Sequence, residues 1–193
     1  MTEPMTDRPL VQVLIASTRP NRAGEPTAQW VAEQAVASGA FDIEIVDLAK
    51  FDLPMFAERA HPSERNYQMP STRTFSEVID RAAAYVFVMP EYNHSYNAAL
   101  KNALDHLFWE WHGKPVLLIS YGGVAAGARA ATALGPVLIA LQLRVVGFVP
   151  IPFIDKHIHP HDGRRVFRPT EPVEHGLTKA LEALHRAMQP RKV

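Results

Sequence analysis

The run Tyr85-Val86-Phe87-Val88-Met89 leads into Pro90-Glu91-Tyr92-Asn93-His94-Ser95, and that leads into Ala98-Ala99-Leu100-Lys101-Asn102-Ala103-Leu104-Asp105-His106-Leu107-Phe108. The first run is continuously apolar, as a strand covered on both faces is. The third carries apolar residues at helical spacing. The polar stretch between them is therefore a turn at the carboxyl end of a central strand, where open α/β sheets bind ligands. Pro90 fixes one backbone dihedral and pushes Met89 toward an extended conformation. A turn made rigid in this way is expected to leave the N–H groups that follow available to a ligand. Tyr92 and Asn93 add an aromatic face and an amide. A plain helix cap by Asn93, Ser95 or Asn97 is the structural alternative.

Working outward, strand-like runs recur at residues 10–16, 43–46, 116–120 and 144–149. The run at 43–46 alternates somewhat and reads as an edge strand. Helix-like segments fall at 26–37, 72–83, 97–108, 128–141 and 170–188. In the last, Leu177, Leu181, Leu184 and Met188 form one stripe. Ser71 is a candidate cap for the second helix and Thr170 for the fifth. Pro136 removes one backbone bond from the fourth and is expected to kink it. Alternating strands and helices imply a parallel sheet with right-handed crossovers. Five strands favour the flavodoxin-like order 2-1-3-4-5 in a three-layer α/β sandwich, with a crevice between the first and third strands. Two stretches remain irregular, 48–70 with Pro54, Pro62 and Pro70, and 150–169 with His157, His159 and His161; both read as ordered surface excursions. The whole chain, 1–193, reads as one domain, with 1–8 expected as a flexible N-terminus.

Composition narrows the function. The 193 residues contain 20 Lys and Arg against 20 Asp and Glu, so no net charge favours nucleic acid or an anionic membrane as partner. The absence of cysteine excludes disulfides, thiolate metal sites, cysteine nucleophiles and cysteine-ligated iron–sulfur clusters, and fits a reducing compartment. Residues 1–9 lack the apolar centre of a signal peptide. The longest apolar region, near 130–150, is interrupted by Pro136, Gln142 and Arg144, so it reads as a core helix followed by a strand. The expected location is cytoplasmic.

Two further loops follow strands. After the first comes Ser17-Thr18-Arg19-Pro20-Asn21-Arg22-Ala23-Gly24-Glu25-Pro26-Thr27, which brings hydroxyls and two arginines to a helix start. Helix N-termini offer unsatisfied N–H groups and a positive dipole end, and arginine binds phosphate oxygens bidentately. Such a loop suits a terminal phosphate monoester; a solvated polar loop is the bland alternative. Neither Gly-x-x-x-x-Gly-Lys-Ser/Thr nor Gly-x-Gly-x-x-Gly occurs here, so no triphosphatase or dinucleotide site is signalled. After the fourth strand comes Ser120-Tyr121-Gly122-Gly123, whose paired glycines permit close approach to a flat ligand. Alone this is weak, but three such loops after strands one, three and four would surround one crevice.

With these residues in view, the chain resembles the NADPH-dependent FMN reductase family over roughly residues 11–149. The resemblance rests on Ser17-Thr18-Arg19-x-x-Arg22, on Pro90-Glu91-Tyr92-Asn93-x-Ser95 with Leu100-Lys101-Asn102-Ala103-Leu104-Asp105, and on Ser120-Tyr121-Gly122-Gly123. It implies that Ser17, Arg19 and Arg22 hold the FMN phosphate, that Pro90, Glu91, Tyr92 and Asn93 line the isoalloxazine edge, largely through backbone groups, and that Tyr121, Gly122 and Gly123 close its other side. It also implies a homodimer or homotetramer, with Phe108-Trp109-Glu110-Trp111-His112 either at the interface or in the local core. The chain departs from the family pattern at Ala16, Arg22, Gly24 and Asn97.

The implied activity is an FMN-dependent NAD(P)H oxidoreductase. NADPH or NADH would be the co-substrate, and electrons would pass by a ping-pong mechanism to a quinone, azo compound, metal oxyanion or free flavin. A bound flavin carries the redox chemistry itself, so no catalytic side chain is assigned, and Glu91 is not cast as an acid. The alternative from another class is a non-enzymatic FMN-binding electron carrier or redox sensor. The segment 157–161 could present alternating histidines on one face. It lacks a zinc spacing, so no metal site is assigned.

Overall fold

A computed structural model describes residues 8–51 and 53–189. Five parallel strands, β1 (Leu10–Ile15), β2 (Asp42–Asp47), β3 (Ala84–Pro90), β4 (Pro115–Tyr121) and β5 (Arg144–Ile151), pair in the order β2-β1-β3-β4-β5. The expected order is therefore the observed one, with β2 at an edge. Of the flexible segment expected at 1–8, all but Arg8 lies outside the described residues.

Strand pleating sorts the apolar runs into two cores. From β3, Val86 and Val88 face α1 (Gly24–Ala37) and α5 (Glu171–Met188), alongside Val31, Leu177 and Leu184. Tyr85, Phe87 and Met89 face the opposite layer, α2 (Pro70–Asp80), α3 (Ala98–His106) and α4 (Ala128–Ala140), alongside Ile79, Leu104 and Leu134. Continuous burial on both faces explains why β3 and β4 read as unbroken apolar runs. Along β4 and β5 the register slips by one residue after Val116, and Gly147 then stands opposite Leu117. A Cβ at Gly147 would lie 2.9 Å from Leu117 Cδ1 and 3.3 Å from Ala180 Cβ, so the glycine lets α5 sit close on the sheet.

Several expected caps are built differently. Helix α2 starts one residue before Ser71, at Pro70, whose missing N–H costs nothing in a first turn. The Glu58 carboxylate accepts from the amides of Gln68 and Met69 just ahead of that helix. Thr170 occupies the cap position of α5 without a side-chain bond to it. Helix α4 continues through Pro136 to Ala140.

The aromatic run 108–112 serves mainly the local core. Trp111 is fully buried and meets Tyr85 with ring centroids 5.0 Å apart. Buried Glu110 accepts from the hydroxyls of Tyr67 and Ser76, whereas Trp109 stays exposed and donates to Ser63 O.

The stretch 150–169 is more ordered than its sequence shows. It holds an antiparallel hairpin, β6 (Ile158–His161) and β7 (Arg164–Phe167). Buried His157 is structural, with Nδ1 3.0 Å from Arg168 O and its ring stacked on Phe167 at 5.3 Å. Phe167 in turn packs on Trp30 of α1. Among the described residues no group of His, Asp and Glu is placed to hold a metal ion, and no helix is long and apolar enough to cross a membrane.

Candidate functional site: the crevice at the carboxyl edge of the sheet

Beyond Ile15 the chain leaves β1 with its ladder extended by one bond, Ala16 N to Val88 O at 3.0 Å. Asn97, just before α3, reaches across to donate Nδ2 to Ala16 O at 2.7 Å. Two of the departures from the family pattern, Ala16 and Asn97, are thus partners, and Asn97 ties β1 to α3 instead of capping its helix.

Ser17 is buried, and its hydroxyl lies 2.9 Å from the Tyr92 hydroxyl, joining the first loop to the turn after β3. The Arg19 guanidinium stands 5.8 Å from the centre of the Tyr92 ring. The backbone amides of Thr18, Arg19, Asn21 and Arg22 find no acceptor among the described residues. They precede the open first turn of α1 and so concentrate N–H donors at a positive dipole end.

Arg22 sits elsewhere in the charge balance. Its Nη2 is 2.5 Å from Asp47 Oδ2, at the end of β2, and 3.7 Å from Glu25 Oε2. Its Nε is buried without a partner among the described residues. Arg22 can therefore offer a ligand its Nε–H, while Asp47 already balances its charge.

The turn after β3 differs from expectation in its amides. Glu91 N donates to Tyr121 O at 3.0 Å, and Tyr92 N and Ser95 O pair at 2.9 Å. Asn93 and His94 both have positive φ (49° and 66°), so residues 92–95 form a two-residue turn of the mirror-image type. The Glu91 and Tyr92 N–H groups are thus occupied. Pro90 and the Tyr92 ring remain to meet a ligand, while Asn93 lies exposed at the turn tip, outside the crevice lining.

The Glu91 carboxylate, 7% exposed, turns to Arg129 of α4 at 2.5 Å and to the Arg129 amide. Burial acts to raise its pKa, but the Arg129 bond and charge outweigh burial and hold it below the ordinary 4.5. A side chain held as a carboxylate cannot act as a general acid.

After β4, Gly122 N donates to Ile151 O, while Gly122 O and Gly123 O accept from Ile154 N and Phe153 N, each at 3.0 Å. This stitches the glycine loop to the segment after β5. The loop ends at Gly127 (φ 79°), where a Cβ would lie 2.7 Å from Ser120 Cβ and 2.8 Å from Tyr121 N. Tyr121 Oη is buried and has no hydrogen-bond partner among the described residues. Burial pushes this phenol well up, the nearby Tyr92 adds to the shift, and Ser17, Arg22 and Arg19 moderate it. It is a donor held in its neutral form. Gly24 explains itself here, because a Cβ would come 2.7 Å from Tyr121 Oη.

The three loops converge on one cavity of about 510 Å³, within the range of cofactor sites. Of the residues singled out in the sequence, Ser17, Arg19, Arg22, Pro90, Glu91, Tyr92, Tyr121, Gly122 and Gly123 line it. Phe153, Ile154, Asp155, Lys156 and Arg165 also line it and were not foreseen. They arrive from the hairpin segment, whose one local signal is the Asp162-Gly163 turn at its tip.

The donor set fits a flat ligand bearing a terminal phosphate, with free amides and Arg19 at one end and the buried unpartnered Tyr121 hydroxyl beside the Ser17 and Tyr92 pair. Sheet order and crevice together define a flavodoxin-like α/β protein whose loops after β1, β3 and β4 open on one cavity. Comparison with known proteins narrows this class. The model of the family described as NADPH-dependent FMN reductase matches residues 9–153. A NAD(P)H-dependent FMN reductase of Schizosaccharomyces pombe is 40% identical over 144 residues, 74% of this chain and 72% of the relative. One of Saccharomyces cerevisiae is 34% identical over 152 residues, 73% and 79% of the two chains. The solved flavoenzyme NAD(P)H:(acceptor) oxidoreductase FerB from Paracoccus denitrificans superposes with TM-score 0.69 at 22% identity, over 93% of this chain and 97% of its own. The chain belongs to the NADPH-dependent FMN reductase family, a family of oxidoreductases whose cofactors are FMN and NAD(P)H.

Proposed function

We propose that the protein binds FMN in this crevice and passes electrons from a reduced nicotinamide to a small acceptor by a ping-pong mechanism. The observation that carries the reading is the convergence of the loops after β1, β3 and β4 on one cavity. FMN supplies the two-electron redox chemistry when bound. The protein's own residues then have three tasks. The amides of residues 18–22 and Arg19 bind the phosphate, with the Arg22 Nε–H as a further donor. Pro90, Tyr92 and the Gly122-Gly123 backbone confine the ring, the Tyr92 ring being held by Ser17. Tyr121 offers a neutral hydroxyl to the buried part of the ligand. No side chain is needed to move a proton, and Glu91 stays ionised on Arg129.

A single crevice shared in turn by the nicotinamide and the acceptor supports the ping-pong order. Relatives named quinone reductase and NADPH azoreductase support a quinone or azo compound as acceptor, with metal oxyanions and free flavin in the same class. The active form on this reading is a homodimer or homotetramer in the cytoplasm.

A visible spectrum of the purified protein before and after NADPH tests the reading. Uptake of FMN and its bleaching by NADPH alone, under anaerobic conditions, are the expected results. A colourless protein that takes up no FMN refutes it. Bleaching only through a protein reductase would make the chain an electron carrier. Initial rates over both substrates should give parallel double-reciprocal lines, and intersecting lines would remove the ping-pong order.

A further inference from the structure

We propose that Arg165, on the β6–β7 hairpin, supplies the second uncompensated positive charge for the ligand's phosphate monoester. This inference rests on the FMN reading above. It assigns a binding role to a residue beyond the segment, 9–153, that the family model matches.

Charge accounting leads there. Of the two arginines in the first loop, only Arg19 has no carboxylate partner among the described residues; Arg22 is balanced by buried Asp47, with the solvent-exposed Glu25 3.7 Å away. A phosphate monoester carries close to two negative charges at neutral pH, so one free guanidinium leaves the site short. Arg165 also lines the cavity. Among the described residues it has no carboxylate within ion-pair reach. Its Nη1 donates to the carbonyl oxygens of Asn21 and Arg22, while Nε and Nη2 have no acceptor among the described residues. One guanidinium edge thus holds the phosphate loop, and the remaining donors can meet an oxyanion bidentately. Asp155 and Lys156, also in the lining, are of opposite sign and leave this surplus unchanged.

The hairpin is built to hold Arg165 in place. His157 closes its base on Arg168 O, and Phe167 is clasped between His157 and Trp30. The bonds of Phe153 and Ile154 to the glycine loop fix its other root. Loop and hairpin therefore line the same cavity and are joined through Arg165. Asn21, with φ 52°, turns the loop at the point where Arg165 grips it.

Titration of the apoprotein with FMN and with riboflavin, followed by quenching of flavin fluorescence, tests the assignment. In Arg165→Gln, FMN affinity should fall roughly ten- to a hundredfold, the loss of a charge-assisted bond. Riboflavin, which lacks the phosphate, should change less than about threefold, on the same footing. Arg165→Met keeps an unbranched stem and gives the same readout should the glutamine variant fail to fold. Equal losses for both flavins would show that the hairpin only packs the site and would overturn the proposal. So would unchanged FMN affinity. A wild-type protein that binds no FMN would instead overturn the FMN reading itself, so the two failures are distinct.

Discussion

Replacing Asp47 by alanine separates the structural role of Arg22 from any role in ligand binding. The two side chains are 12% and 6% exposed and meet at 2.5 Å. Removing one partner of a buried ion pair costs about 3–5 kcal/mol, because the other charge is left buried and unpaired. The variant also loses the bond from Ala49 N to Asp47 Oδ1, worth about 1 kcal/mol as a turn cap. Glu25 offsets part of the loss, since it already lies 3.7 Å from Arg22. As a largely exposed group it returns only about 0.2–1 kcal/mol on re-pairing, which leaves a net destabilisation of about 3–6 kcal/mol. In urea, with a slope of about 2 kcal/mol per molar, the midpoint should fall by about 1.5–3 M with the slope unchanged. Phosphate would replace the missing carboxylate as the counter-ion of Arg22. FMN should therefore bind the variant several-fold more tightly than the wild type, and riboflavin should not. A midpoint shift under about 0.3 M refutes the buried-pair reasoning. Weaker FMN binding with unchanged riboflavin binding would show that Arg22 was never neutralised.

Two further outcomes follow from the same geometry. Gly127→Ala places a Cβ 2.7–2.9 Å from Ser120 and Tyr121 N at a φ of 79°. Left-handed strain and overpacking together should cost about 3 kcal/mol, lowering the thermal midpoint by roughly 6–12 °C in a chain of this size; a change within about 2 °C would contradict the close packing. For Glu91, the folded-state pKa lies below the ordinary 4.5, so the carboxylate stabilises the fold above that value and ceases to as pH falls through the folded pKa. Arg129→Ala should flatten this acid limb of stability, followed by urea midpoints from pH 6 down to 3, and an unchanged limb would point to other carboxylates.

The layer architecture was legible in the sequence because it depends on short windows. Continuous apolar runs such as 85–89 specify strands buried on both faces, and a 3.6-residue stripe such as Leu177, Leu181 and Leu184 specifies a helix with one covered face. Alternation of the two leaves few topologies to a parallel sheet. The loops after β1, β3 and β4 were legible for the same reason, since their turn chemistry is local. The hairpin at 158–167 escaped notice because its strands are only four residues long and Pro160 and His161 dilute the alternation of the first, although Asp162-Gly163 between them is a two-residue hairpin turn.

By itself, then, the sequence determined the strand order, the crevice and a loop rich in arginine and hydroxyl groups at the end of the first strand. Only the tertiary structure decided which charges in that loop are free. The amides of Glu91 and Tyr92 are taken by Tyr121 and Ser95. Arg22 belongs to Asp47, and Arg165 reaches the loop carbonyls from a separation of 144 residues. Periodicity and turn geometry are properties of neighbouring residues, whereas charge compensation depends on distance in space, which no local window of the chain contains.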